Sequence, residues 1–137
     1  MKYLLDTNVC IALINEKSPF LGTRFLKELA VGAQLFVSSV VALELWYGVA
    51  KSKHKEANVQ RVETFFAGHV VLLPFEEEDA RVAGQIRAAT EAVGKSVGAY
   101  DLLIASQALR HEMILVTANT RDFERIKNLQ SEDWTKG

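Results

Sequence analysis

Asp6, Glu44, Asp101 and Asn119 are the side chains whose type and surroundings point to chemistry rather than packing. Asp6 ends the apolar run KYLL and opens the polar tripeptide Asp6-Thr7-Asn8. Taken alone, turn or helix-cap duty accounts for an aspartate there. Glu44 is harder to account for, because it is the only charged residue between Leu35 and Ala50. On a helical wheel its neighbours are Val40, Tyr47, Gly48 and, at the far end, Lys51, so no solvated polar stripe surrounds it. A lone carboxylate on an apolar helix is costly to bury unless it is paired or bound to a metal. Asp101 sits in the first turn of a helix whose apolar residues are Leu102, Leu103, Ile104 and Leu109. An acid at that place gains a few tenths to ~1 kcal/mol from the helix dipole. Asn119 lies two residues beyond Thr117, where it reads as a cap unless the acids converge near it.

The chemistry comes from combining them. Mg²⁺ takes oxygen ligands and keeps several waters, so two or three carboxylates from different elements suffice to hold it. Such an ion lowers the pKa of a bound water and neutralises charge on a phosphate. No thiol or imidazole is needed. His54, His69 and His111 show no metal-binding spacing and read as surface or loop residues.

The elements that must position these residues alternate between strand and helix. Short apolar runs at 2–5, 35–37, 70–73 and 114–116 read as strands, with a weak fifth at 129–131. Helices are expected at 9–15, from Ser18-Pro19 to Gly32, at 40–50 behind a Ser38 or Ser39 cap, near 59–66, at 76–93 and at 100–111. Residues 51–60 read as a polar, basic connection and 94–99 as a glycine-containing loop. The alternation implies an α/β fold with a central, mainly parallel sheet of four to five strands covered on both faces. Ligands bind such sheets beyond the carboxyl ends of the strands, which is where Asp6 and Asn119 fall.

Composition sets the outer bounds. The 137 residues fit one domain, taken as 1–137, with 49% hydrophobic and 24% charged residues. The single cysteine, Cys10, excludes an internal disulfide and suits a reducing cytoplasm. The apolar run after Lys2 is broken at Asp6, so it is not read as a secretory signal, and no stretch reads as a membrane span. A net charge of −1 means that a polyanion would have to be held by local basic patches or by metal. No internal repeat, low-complexity tract or linker is found.

Four segments carry a resemblance to a known family: LLDTNV around Asp6, SSVVALELWYGVAKS around Glu44, VGAYDLLIASQAL around Asp101 and LVTANTRDFERI around Asn119. In this order and at these separations they resemble the four signatures of PIN-domain nucleases, most closely the VapC-type toxins of bacterial toxin–antitoxin pairs. The similarity runs from Met1 to about Trp134. It implies a three-layer α/β/α fold and Mg²⁺- or Mn²⁺-dependent cleavage of RNA. It also implies that Asp6 and Asp101 ligate metal, that Glu44 contacts the metal or its waters, and that Thr7 and Asn8 orient Asp6 and the rim. Asn119 takes the fourth acidic position of the wider superfamily; as a neutral ligand it would hold a second ion more weakly. Val41 stands where a hydroxyl residue is frequent, and Val97 and Ala99 vary the loop before Asp101. Family members are usually dimeric and are blocked by a small VapB-like antitoxin that covers the active site.

Phosphate contacts are expected from Lys51, Lys53, Lys55 and Arg61, or from Arg24 and Lys27, with a solvated basic loop as the plain alternative. Trp46, Tyr47 and Tyr100 flank the acids and can stack on bases. Core or dimer packing is the favoured reading for Trp46 and Tyr47, because they lie in an apolar helix. Two rival functions compete with this one. A phosphotransfer protein using Asp6 lacks the Asp-x-Asp pattern and a lysine-bearing strand end. A degenerate PIN module would bind RNA or protein without cleaving; the three intact acids speak against it, while Asn119 keeps it open.

Overall fold

The computed structural model describes residues 1–136. Five strands form one sheet: β1 (Lys2–Leu5), β2 (Gln34–Ser38), β3 (Val70–Leu73), β4 (Ile114–Val116) and β5 (Ser131–Glu132). Their order is β3-β2-β1-β4-β5, and every neighbouring pair is parallel. The helices are α1 (Thr7–Ile14), α2 (Pro19–Ala30), α3 (Ser39–Ala50), α4 (Lys55–Ala67), α5 (Glu77–Ala92), α6 (Ala99–Arg110) and α7 (Thr120–Phe123). Together they cover the parallel sheet as the alternation implied and make the three-layer α/β/α arrangement that the resemblance implied.

Burial explains why the central strands are apolar on both faces. Leu4, Leu5, Leu35, Val37, Leu115 and Val116 are all essentially inaccessible. Each such side chain contributes roughly 1.5–3 kcal/mol by leaving water. From β1 the chain steps outward to β2 and β3, then returns to place β4 and β5 on the other side. The strand order therefore reverses between β1 and β4, and a crevice opens beyond their carboxyl ends.

Several boundaries differ from those expected. Helix α1 begins at Thr7, because Asp6 itself is the N-cap and accepts from the Thr7 N–H. Helix α4 begins at Lys55 and takes in much of the segment read as a basic connection. The four-residue α7 is too short to show a periodicity. Strand β5 falls at Ser131–Glu132, pairing with Leu115 and Val116. It is pinned there by Trp134, which is 2% exposed. That indole donates to Glu132 Oε1 at 2.9 Å and meets the Tyr3 ring edge-on at 4.8 Å. Among the described residues no helix is long and apolar enough to cross a membrane.

Candidate active site

Asp6 is fixed from both sides of the strand reversal. Its N–H continues the β1–β4 ladder by donating to the Val116 carbonyl at 3.0 Å, and its carbonyl accepts from the Cys10 N–H at 3.0 Å. Its side chain is only 6% exposed. Oδ1 accepts from the Thr7 N–H at 2.7 Å, and Oδ2 from the fully buried Thr117 hydroxyl at 2.8 Å. Each carboxylate oxygen has two acceptor directions, so one remains on each. Capping and a rim position thus hold for the same residue.

Glu44 reaches the same place from α3. Val41, Leu45 and Val49 are the buried stripe of that helix. Glu44 sits beside the stripe, partly buried, and its Oε1 accepts from the Thr7 hydroxyl at 2.9 Å. Thr7 therefore ties two carboxylates from different elements, one through its N–H and one through its hydroxyl. Val41 lies in the core, and the hydroxyl partner of Glu44 comes from α1 instead.

Asp101 enters from the first turn of α6, half-buried, behind the N-cap Gly98. Burial pushes its carboxyl above the ordinary carboxylate range, and the charges of Asp6, Asp122 and Glu44 push it further in the same direction. Asn119 is exposed, and its N–H donates to Thr117 Oγ1 at 3.0 Å. Asn119 occupies the N-cap position of α7, as the cap reading has it, and its carbonyl accepts from the Asp122 N–H at 3.0 Å, but its side chain makes no capping bond and its carboxamide is left at the rim. Asp6, Thr7, Glu44, Tyr100, Asp101 and Asn119 line a common cleft of about 280 Å³.

The arrangement concentrates negative charge where burial penalises it. A cation in the cleft would relieve both effects on Asp101. The side-chain donors lining the cleft are three carboxylates, the hydroxyls of Thr7 and Tyr100 and the carboxamides of Asn8 and Asn119, with neither thiol nor imidazole, which is the set for a hard ion. Among the described residues no three His, Cys, Asp or Glu side chains already form a ligand cage. Asp6, Glu44 and Asp101 thus line one cleft without closing on a common point.

Other expectations fare unevenly. Trp46 and Tyr47 are 38% and 62% exposed, so core packing is excluded for them. They lie with Leu43 on the outer side of α3, and Lys51 Nζ sits 4.8 Å from the centre of the Tyr47 ring. Arg24 is committed elsewhere, held by Glu28 at 2.7 Å and Glu132 at 3.1 Å and stacked on Trp134. Lys27, Lys53 and Lys55 are exposed and do not line the cleft. Arg61 lines a groove between α1, α3 and α4 that shares Glu44 with the cleft. His111 lies 3.8 Å from the buried Asp79, within the Arg110 pair, away from the acids of the cleft. Sequence reasoning missed two contributors, the Thr117 hydroxyl and the nearby charge of Asp122. A hydroxyl residue directly after a buried strand was the only available signal for the first.

A fold of this topology with acids gathered at the strand reversal defines a class, and a PIN-domain family model matches residues 3–129. Full-length relatives narrow it. The chain is 39% identical over 135 residues to the tRNA(fMet)-specific endonuclease VapC of Shigella flexneri, covering 98% of this chain and 99% of that protein. It is 40% identical over 136 residues to ribonuclease VapC2 of Rickettsia felis, covering 99% and 100%. The crystal structure of VapBC2 from Rickettsia felis, bound to a DNA fragment from their promoter, superposes with a TM-score of 0.90 at 37% identity, covering 98% and 99% of the two chains. The chain belongs to the PIN-domain family, in its VapC ribonuclease branch.

Proposed function

We propose that this chain, as one PIN domain over residues 1–137, is a Mg²⁺-dependent endoribonuclease and the toxin of a toxin–antitoxin pair. The observation that carries the reading is the convergence of Asp6, Glu44 and Asp101, from three different elements, on one cleft. Mn²⁺ is the natural substitute ion. The Shigella relative is named for initiator tRNA, which makes that RNA the first substrate to test.

Asp6 and Asp101 would hold the ion, with Glu44 at the ion or its waters. When bound, Mg²⁺ supplies Lewis acidity, activating water and neutralising charge on the scissile phosphate. Thr7 and Thr117 keep the Asp6 carboxylate aimed, so little reorganisation is needed as charge develops. Glu44, itself held by Thr7, orients the water that attacks phosphorus in line. Asn119 adds a neutral oxygen at the rim. The products are a 5′-phosphate and a free 3′-hydroxyl. The 2′-hydroxyl takes no part in this route, so preference for RNA must come from binding.

A VapB-like antitoxin covering the cleft is the expected partner, since the similar solved assemblies are VapBC complexes. The exposed Leu43, Trp46 and Tyr47 give α3 an apolar outer face suited to a homodimer contact or to that antitoxin. The absence of a membrane-spanning helix among the described residues is compatible with a cytoplasmic site of action.

The test is cleavage of initiator tRNA and of unrelated RNAs with Mg²⁺, with Mn²⁺ and with chelator. The expected result is metal-dependent cutting that Asp6→Asn abolishes while circular dichroism stays unchanged. RNA binding without cutting under any divalent ion would instead support a degenerate module.

A further inference from the structure

The arginines of this chain divide into two groups. Four of the seven are held by carboxylates: Arg24 by Glu28 and Glu132, Arg81 by Glu77, Arg87 by Glu91 and Arg110 by Asp79. Arg61, Arg121 and Arg125 make no ion pair among the described residues. All three border concavities beside the carboxylate cleft. Arg61 lies on the α4 side and is among the residues from which the sequence predicts phosphate contacts. Arg121 and Arg125 lie on the other side, in a concavity of about 520 Å³ that also contains Lys95 and Ser96.

This second concavity has a defined wall. Gly94 takes φ +70°, a left-handed conformation that glycine adopts without strain, and it turns the chain out of α5. The Lys95 N–H closes that helix end by donating to the Thr90 carbonyl at 2.8 Å. Arg125 Nη1 then donates to the Ser96 carbonyl at 2.8 Å, joining the segment after α7 to the loop before α6. Three exposed cations face one acid, Glu124, which pairs with none of them.

The concavity adjoins the cleft through two separate stretches of chain. Ser96 is two residues from Gly98, and Arg121 is two residues from Asn119, while Gly98 and Asn119 both line the cleft. Two residues span at most about 7 Å, so the Cα atoms of Arg121 and Asn119, and those of Ser96 and Gly98, lie no further apart than that. We propose that Lys95, Arg121 and Arg125 form a subsite for the RNA backbone, holding phosphates that neighbour the scissile one on the side of the 94–98 loop and α7. The inference rests on the ribonuclease reading and adds to it the path of the substrate. The subsite compensates for a chain whose net charge of −1 offers a polyanion no general attraction.

Salt dependence tests it. For single strands, log K falls with log salt with a slope of about −0.7 per neutralised phosphate. A fluorescent single-stranded RNA is bound to Asp6→Asn protein, which does not cut it, over 50–200 mM salt with Mg²⁺ fixed. In that background Arg121→Gln shallows the slope by about 0.7 and Arg121→Gln/Arg125→Gln by about 1.4. Among the described residues Arg121 makes no hydrogen bond through its side chain, whereas Arg125 holds the Ser96 carbonyl, so the single variant leaves the loop intact even if the double variant loosens it. Arg81→Gln/Arg87→Gln removes the same charge from α5 and leaves the slope unchanged. An unchanged slope in Arg121→Gln, with RNA binding otherwise normal, overturns the subsite and leaves the ribonuclease standing. Loss of antitoxin affinity without a change in the RNA slope assigns the cations to the protein partner and also overturns it. Wild-type protein that neither binds nor cuts RNA refutes the ribonuclease reading itself.

Discussion

Thr117→Val keeps side-chain volume and β-branching while deleting the hydroxyl that holds Asp6 from the β4 side. The oxygen is fully buried, donates to Asp6 Oδ2 at 2.8 Å and accepts from the Asn119 N–H at 3.0 Å. A hydrogen bond to a charged group contributes about 1.5–3 kcal/mol. Asn119 is exposed, so its N–H turns to water at small cost. The expected destabilisation is therefore about 2–3 kcal/mol, which lowers Tm by roughly 10 °C for a domain of this size. Asp6 would keep only the Thr7 N–H as a donor. Loss of such a supporting partner costs roughly 10–100-fold in metal affinity or activity. Thr117→Ser retains the hydroxyl and deletes one methyl, so it loses roughly 1 kcal/mol and keeps its activity. Urea unfolding in chelator, with cleavage rates measured across Mg²⁺ concentration, reads both effects. A valine variant within about 0.5 kcal/mol of wild type, with an unshifted Mg²⁺ midpoint, would refute the role given to this hydroxyl.

Two further outcomes follow from the same geometry. Asp101→Asn removes a carboxylate that is both partly desolvated and repelled by Asp6, Asp122 and Glu44. The variant should therefore melt above wild type in chelator yet gain little from Mg²⁺, whereas wild type should gain about 2.7 kcal/mol at a hundredfold excess of Mg²⁺ over its Kd. Cys10 is fully buried and its thiol is held far above its usual range by burial and then by the Asp6 charge. It should react with a disulfide reagent at pH 8 only after unfolding; rapid labelling of the native protein would contradict that packing.

The parts of the site that were legible in the sequence are those whose residue type clashed with its surroundings. Glu44 stood out against an apolar helix, and Asp6 and Asp101 stood at element starts beside apolar runs. Thr117 did not stand out, because a threonine after a strand is ordinary. Only the β1–β4 pairing, Leu5 beside Val116, brings it onto Asp6. The exposure of Trp46 and Tyr47 was hidden for the opposite reason. An apolar helix reads as buried all round, yet α3 uses only the Val41, Leu45 and Val49 stripe for the core. The parallel sheet was readable from alternation, while the bounds of α4, α7 and β5 depend on contacts distant in sequence. Trp134 against Tyr3 is the clearest of these. The lysine-rich segment after Glu44 reads as the basic side of the site, yet Arg121 and Arg125, which carry no ion pair among the described residues, lie in another part of the chain.

Direct titration of the protein with Mn²⁺, followed by electron paramagnetic resonance, examines the acid cluster without relying on any RNA. Saturable binding should be seen in wild type, competed by Mg²⁺, and be lost in Asp6→Asn and in Asp101→Asn while both variants stay folded. Binding of equal strength in all three proteins would place the ion elsewhere and contradict the account.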